Sequence, residues 1–328
     1  MIRILQIRET PASKCAGIDA NCQGLVSLFE GDEQIEMIPT VDYTKHKEPF
    51  LHQCWLDKKE ICDSIIKYNP DIVHIHGSYS FTLPMSVRCA RKFKKKVVLS
   101  GHFHPFYSLK RPLLGRLFFY LITRVVLKKV DLVFTINDED TKQMSKYHSN
   151  VVKIPHWSKY TDKGRVDEKV RNMILFIGRL DESNKGIEHL FHLPENKYEI
   201  HCVGRGDTPL RGDMIKHTNI SDEELASLYK KASLLVVPSR YEAFSYVTIE
   251  SLMSNTPVVL SDRVRIADHL TGIKGYSVFK YHDYDAFVKA VEETIGNEVD
   301  TQKVADVFDP VIIKKIYKDS YTELISNH

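Results

Sequence analysis

The sequence of 328 residues lacks several features that would assign its class at once. It has six cysteines but no Cys-x-x-Cys pair, so neither a zinc ribbon nor a disulfide framework is indicated. Cys15, Cys22, Cys54, Cys62 and Cys89 lie in the first half and Cys202 in the second, and free thiols in a reducing cytoplasm are the expected state. No apolar run is long enough to span a bilayer, because the most apolar stretch, residues 113–127, is interrupted by Arg116 and Arg124. The opening Met-Ile-Arg-Ile-Leu-Gln-Ile alternates like a first strand and is too short for a signal peptide. Low-complexity tracts and short-period repeats are also missing, so the chain reads as globular, with enough length for two domains.

Net charge is small, at +3, but it is unevenly spread. Residues 1–165 hold 26 Lys and Arg against 17 Asp and Glu, while the remainder holds 20 against 26. A basic first half suits an anionic partner such as lipid head groups or a phosphorylated acceptor. No nucleic-acid module and no basic–aromatic stripe is present, so nucleic acid is not an expected partner.

What is present is an alternation of short apolar runs with amphipathic segments, which predicts parallel sheets with crossover helices. Strands are expected at 2–7, 35–39, 72–76, 96–100 and 132–136, then at 173–177, 198–203, 234–238 and 257–261. The polar, Gly-containing segment 158–170 is the natural boundary, giving domains 1–160 and 161–328. Residues 311–325 read as an amphipathic helix with Ile312, Ile316, Tyr321 and Leu324 as its apolar members.

Two stretches carry chemistry. The strand Leu234-Leu235-Val236-Val237-Pro238 leads into Ser239-Arg240-Tyr241-Glu242-Ala243-Phe244-Ser245-Tyr246-Val247-Thr248-Ile249-Glu250. Ser245 is the expected N-cap of a helix reaching about Ser254. The backbone N–H groups of Ser245, Tyr246 and Val247 then lie at a helix start, where the helix supplies no acceptor and an anion such as a diphosphate fits. Alone, the stretch equally fits an acidic helix start that complements the dipole. The second stretch breaks the tie. After the strand 173–177 comes Gly178-Arg179-Leu180-Asp181-Glu182-Ser183-Asn184-Lys185-Gly186, in which Arg179 offers a planar fork and Lys185 a mobile point charge. Such a pair is commonly a solvated turn, but not beside an anion-binding loop. In open α/β sheets both loops fall at the ligand-binding edge.

Together these stretches resemble family 4 of the glycosyltransferases, through its G-R-L-x(3)-K-G and E-x(7)-E segments. Gly178-Arg179-Leu180…Lys185-Gly186 matches the first, and Glu242 and Glu250 match the second in identity and spacing. Asp71-Ile72-Val73-His74-Ile75-His76-Gly77 and the segment Ile220–Tyr229 extend the resemblance, as does the turn Gly204-Arg205-Gly206. That turn lacks a third glycine, since Pro209 stands there, so it is not a dinucleotide fingerprint. The resemblance implies two Rossmann-like, doubly wound α/β parallel-sheet domains facing across a cleft (GT-B), with the last helix crossing back to the first domain. It implies a hexosyltransferase that moves a sugar from a nucleotide diphosphate sugar, UDP preferred over GDP, with retention and with neither metal nor cofactor. The acceptor implied is a saccharide, lipid-linked, met at the inner face of the cytoplasmic membrane by a cytoplasmic protein peripherally attached there.

Carried over residue by residue, Arg179 and Lys185 hold the diphosphate, Glu250 the ribose and Glu242 the transferred sugar. Phe244, Ser245, Tyr246, Val247 and Gly204 belong to the donor site. Gly17, in the loop Cys15-Ala16-Gly17-Ile18-Asp19, approaches the phosphates, although Ala16 stands for the family's first glycine. His102, in Ser100-Gly101-His102-Phe103-His104-Pro105, lies beside the sugar. Ala243 and Ser245 replace glycines of the family pattern, and Pro155-His156-Trp157-Ser158-Lys159 departs from its usual end of the first domain. The rivals are a nucleotide-sugar epimerase on the same fold and a non-catalytic sugar- or lipid-binding module.

The pairs His74/His76 and His102/His104 have metal-ligand spacing but no third ligand at suitable distance in sequence, and Asp138-x-Asp140 and Asp283-x-Asp285 read as solvated faces. Residues 110–129 are basic and apolar at once. Attachment to an anionic membrane and a core helix with basic ends both fit them.

Overall fold

The computed structural model describes residues 1–8, 16–41, 50–78, 81–101, 112–157 and 168–326. The chain divides into two compact units, Met1–His156 with Pro310–His328, and Trp157–Asp309.

In the first unit the strands are β1 (Ile2–Arg8), β2 (Ile35–Val41), β3 (Ile72–His76), β4 (Lys96–Ser100), β5 (Leu132–Thr135) and β6 (Val151–Lys153), paired in parallel in the order β2-β1-β3-β4-β5-β6. The crossovers carry helices α1 (Ala16–Leu28), α2 (Phe50–Tyr68), α3 (Thr82–Lys92) and α4 (Pro112–Phe118). The last runs through a π-turn, Phe119–Thr123, into α5 (Arg124–Leu127), and α6 (Asp138–Met144) follows β5. Leu5, Ile7, Val73, Ile75, Val97 and Leu99 are fully buried in one core under these helices. Strands covered on both faces read as continuous apolar runs, which is why the central ones are legible.

The second unit repeats the plan with β7 (Met173–Ile177), β8 (Glu199–Val203), β9 (Met214–His217), β10 (Leu234–Val237), β11 (Val258–Ser261) and β12 (Tyr276–Phe279), in the order β12-β11-β10-β7-β8-β9. Its helices are α7 (Asp222–Lys231), α8 (Tyr246–Met253), α9 (Tyr284–Thr294) and α10 (Thr301–Val307). The capping box of Ser221 and Glu224 starts α7. β6, β9 and β12, absent from the expected strands, are all at sheet edges. Edge strands are short and half-solvated, so they carry no long apolar run.

The last helix, α11 (Pro310–Ser326), packs in the first unit. Its buried stripe is Ile313, Tyr317, Tyr321 and Leu324, whereas Ile312 is exposed and Ile316 only half-buried. The expected face is therefore corrected by one position at its start: the two tyrosines, not the isoleucines, set the register. Tyr321 shares a hydrogen bond between its hydroxyl and His74 Nδ1 at 2.9 Å, and Tyr317 packs edge-on to Phe134. At the outer side Lys314 and Lys318 reach Asp32 at 3.1 and 3.2 Å.

Cysteine chemistry also differs from expectation. Cys62 of α2 and Cys89 of α3 form a disulfide, although 27 residues separate them and no motif marks the pair. They meet because α2 and α3 pack side by side. Cys22 and Cys202 are free and buried, and burial pushes the Cys202 thiol up to about 12. Cys15 and the side chain of Cys54 lie outside the described residues.

Burial opposes the Asp32 charge, but the Gln34 and Ile35 amides and the two lysines outweigh it and hold its carboxyl well below the usual range. A lowered carboxyl pKa contributes stability above the ordinary carboxylate pKa and loses it as pH falls. Asp32→Asn is therefore expected to destabilise the first unit by roughly 1–3 kcal/mol at neutral pH. Thermal melting should show the gap between variant and wild type closing below about pH 4.

Candidate functional site

In the second unit the chain leaves β7 outward to β8 and β9, then returns to the other side of β7 as β10, β11 and β12. The order reverses between β7 and β10, and the carboxyl ends of strands flanking such a reversal frame a crevice. The loops after these two strands carry Arg179, Lys185 and Glu242.

Lys185 and Glu242 meet there, with Nζ 2.8 Å from Oε1 and side chains 27% and 11% exposed. Burial works against the Lys185 ammonium, but Glu242 and, further off, Glu182 prevail and raise its pKa. Ser239 donates its hydroxyl to the same Glu242 oxygen at 2.7 Å. The Glu242 backbone is clamped as well: its N–H donates to Arg263 O, and its carbonyl accepts from Arg265 N–H. The segment carrying Lys185 is tied to the same loop, since Asn184 Nδ2 donates to Tyr241 O at 2.9 Å and Arg240 N–H donates to Asn184 O. Gly186 has φ +70°, and a Cβ there would stand 2.0 Å from Pro238 O. Only glycine lets this turn close against the end of β10.

Arg179 behaves differently. Its side chain is 67% exposed and engages Asp181 only at 3.5 Å. It therefore stays largely solvated, on the same loop as Lys185. The turn after β8 packs on its backbone: Gly178 N–H donates to Val203 O, and Leu180 N–H donates to Arg205 O. Gly204, at φ +155°, comes so close that a Cβ would fall 1.8 Å from Gly178 O.

Helix α8 begins after Ser245 and ends before Ser254, as the sequence suggests. The expected Ser245 cap is not made; its Oγ instead accepts from the Thr248 hydroxyl at 2.9 Å. The hydroxyl thus bonds a first-turn side chain rather than the first-turn amides. Phe244 stands edge-on to Tyr246, Phe308 and His269, and Phe244 and Val247 pack against the core. Glu250 accepts from the hydroxyl of Tyr229 at 2.8 Å.

Tyr229 is fully buried in α7 and 21 positions from Glu250, and no spacing in the sequence marks it. Ser239 and Asn184 were equally unmarked, although both lie inside the two stretches that drew attention. Gly17 stands in the first turn of α1 rather than in a loop. His102 lies outside the described residues.

Of the remaining acidic and histidine pairs, His102 and His104 lie outside the described residues. His74 bonds Ser100 and Tyr321, and the His76 ring lies tilted against His74 with centroids 4.2 Å apart. Asp283 caps α9. Asp138 is exposed, but Asp140, read as solvated, is buried in the first turn of α6, whose cap Asn137 accepts from the Asp140 N–H. Among the described residues no group of three or more His, Cys, Asp or Glu is disposed to hold a metal ion.

Comparison with known proteins bears on the family and the fold. A family model described as Glycosyltransferase Family 4 matches residues 32–157, and one described as Glycosyl transferases group 1 matches residues 171–297. A protein of Klebsiella pneumoniae, described as an uncharacterised 41.2 kDa protein in the cps region, is 23% identical over 63% of this chain and 66% of its own. An MMP α-(1→4)-mannosyltransferase of Mycolicibacterium hassiacum is 37% identical over 28% of this chain and 26% of its own. The chain thus spans less than two thirds of the length of these relatives. The structure of Anabaena HepE in complex with UDP-glucose has a TM-score of 0.72 at 13% identity, covering 98% of this chain and all of that one. At that identity the likeness shows the fold.

The close approach at Gly204 yields a test of the site's scaffold. Gly204→Ala should cost about 3 kcal/mol, because the new methyl meets backbone that cannot yield. Denaturant unfolding would measure it; a loss under 1 kcal/mol would contradict the packing of the two turns.

Proposed function

The chain belongs to family 4 of the glycosyltransferases, and from that premise we propose that it moves a sugar from a nucleotide diphosphate sugar to a hydroxyl of a saccharide acceptor, with retention at the anomeric carbon. The observation that carries this reading is the Lys185–Glu242 pair at the switch point of the second sheet, with Arg179 beside it.

Lys185 and Arg179 neutralise the departing nucleoside diphosphate. An ammonium has three donors, so Lys185 can keep Glu242 on one and give another to a phosphate oxygen. Two cations supply the charge that a metal ion would otherwise bring, so the proposed transfer needs neither metal nor cofactor. Glu242, held by Ser239 and Lys185, orients hydroxyls of the sugar, and Glu250, held by Tyr229, accepts from the ribose diol. His102 is proposed to lie beside the sugar, Gly17 and Gly204 near the phosphates, and the amides of Phe244, Ser245, Tyr246 and Val247 at the anion. The bond from the anomeric carbon to the phosphate oxygen breaks, and one to the acceptor oxygen forms. The acceptor proton passes to the donor's own phosphate.

The UDP-glucose complex of a protein with this fold supports UDP as the base carrier. A lipid-linked acceptor at an anionic membrane surface accords with the basic first half of the chain. Among the described residues no helix is long and apolar enough to cross a membrane.

The test is melting in the presence of UDP, GDP, ADP and their sugars, followed by transfer assays with the donor that raises the midpoint. Lys185→Ala and Glu242→Ala should each lower transfer on the order of 10²-fold or more while circular dichroism stays that of the wild type. Full activity in either variant would overturn the site assignment. Conversion of the donor without any acceptor would favour an epimerase instead.

A further inference from the structure

His189 is fully buried in the 3₁₀ turn Ile187–His192, four positions after Lys185. Its ring is enclosed by those of Phe279, Tyr281, Tyr284 and Phe287, with centroids 5.1 to 5.6 Å away. Such a cage suits a leucine or a phenylalanine, and an imidazole is costly to bury there unless a ring nitrogen is put to use. Nδ1 is: it lies 3.0 Å from Gly186 O, and since a carbonyl only accepts, Nδ1 carries the proton. Nε2 is buried and meets no hydrogen-bond partner among the described residues. A proton there would be a donor without an acceptor. Burial accordingly lowers the His189 pKa, against the pull of Gly186 O and of the Glu188 carboxylate 3.9 Å from Nδ1, while His282 and His192 add to the lowering. The fold thus selects one neutral tautomer.

The acceptor shows what the bond is for. Gly186 O also accepts from the His189 N–H at 3.1 Å, so both its lone pairs are filled and its direction is fixed. Glycine is required at this position, because a Cβ would stand 2.0 Å from Pro238 O. It is also the residue with the weakest backbone preference of its own. The turn that presents Lys185 therefore depends on a restraint from outside it, and the imidazole supplies one. On the other side of Gly186, Lys185 N–H donates to Glu182 O and its Nζ reaches Glu242.

We propose that His189 is a positioning residue for sugar transfer, its neutral Nδ1–H fixing the Gly186 turn and so placing Lys185 for the donor diphosphate. His189 touches no substrate and acts through Lys185. The inference rests on the transferase reading for the task of Lys185, and on the fold alone for the tautomer.

Three variants separate positioning from packing. His189→Leu fills the cage but has no donor. His189→Asn brings an amide N–H to the place of Nδ1, and His189→Gln brings one nearer to that of Nε2. The readout is nucleotide release from UDP-glucose, GDP-mannose or ADP-glucose, whichever most raises the melting midpoint. His189→Leu and His189→Gln should each slow release on the order of tenfold or more. His189→Asn should recover most of that loss although it melts below His189→Leu, because its small amide underfills an apolar cage. Activity that instead follows melting temperature would make His189 a packing residue and overturn the inference. In a Lys185→Ala background His189→Leu should cost nothing further, and an additive loss would overturn it too. Nitrogen-15 NMR of the histidine-labelled full chain, assigned by the signal lost in His189→Leu, should show the Nδ1–H tautomer, still neutral where the exposed His192 and His282 are charged. An Nε2–H tautomer sinks the inference without any assay of activity. The Nδ1–H tautomer without nucleotide binding or release supports the restraint and sinks the transferase reading on which its purpose rests.

Discussion

The ion pair of Lys185 and Glu242 is the contact on which the proposed chemistry of the second unit turns. Both side chains are largely withdrawn from water, and each would be costly to keep charged without the other. The fold holds them together from opposite sides of a strand reversal, 57 residues apart in the chain. Ser239 fills one further acceptor site on Glu242, and Asn184 ties the two loops by their backbone. A buried pair of this kind contributes little net stability; what it secures is geometry. With Lys185 tethered at 2.8 Å, an arriving anion meets a cation that is already placed, and no side-chain search has to be frozen out on binding.

The contrast with Arg179 follows from the same reasoning. A guanidinium that is mostly solvated and weakly engaged with Asp181 has conformational freedom left to lose. It suits a group that must follow a moving charge, whereas a fixed ammonium suits one that stays put. In the proposed transfer the two cations therefore divide the work. Glycines make the arrangement possible: Gly186 lets the lysine turn close on Pro238, and Gly204 lets the neighbouring turn close on Gly178.

Much of this was legible in the sequence, and the pattern of what was not is physical. Central strands such as residues 72–76 and 173–177 announce themselves because both their faces are covered. The edge strands β6, β9 and β12 do not, since half of each is solvated. Glu242, Glu250, Arg179 and Lys185 stand at spacings that local structure imposes, so a linear pattern reveals them. Tyr229 touches Glu250 only through the packing of α7 against α8, and Cys62 meets Cys89 only through the packing of α2 against α3. Contacts created by tertiary packing leave no periodic trace. The register of α11 went astray for the same reason: its isoleucines fit an amphipathic stripe, but Tyr321 has a buried partner in His74 and Tyr317 one in Phe134, and those fix the rotation.

Rotation of the segment 112–127 is another feature that composition does not carry. From sequence, a basic and leucine-rich stretch serves equally as a core helix or as a membrane face, because composition is blind to direction. The buried set at Phe119, Thr123 and Leu127 satisfies the core entirely on one side. Every apolar residue on the other side is then surplus to folding. A soluble chain exposes single leucines without consequence, but a continuous row of them invites aggregation unless something covers it.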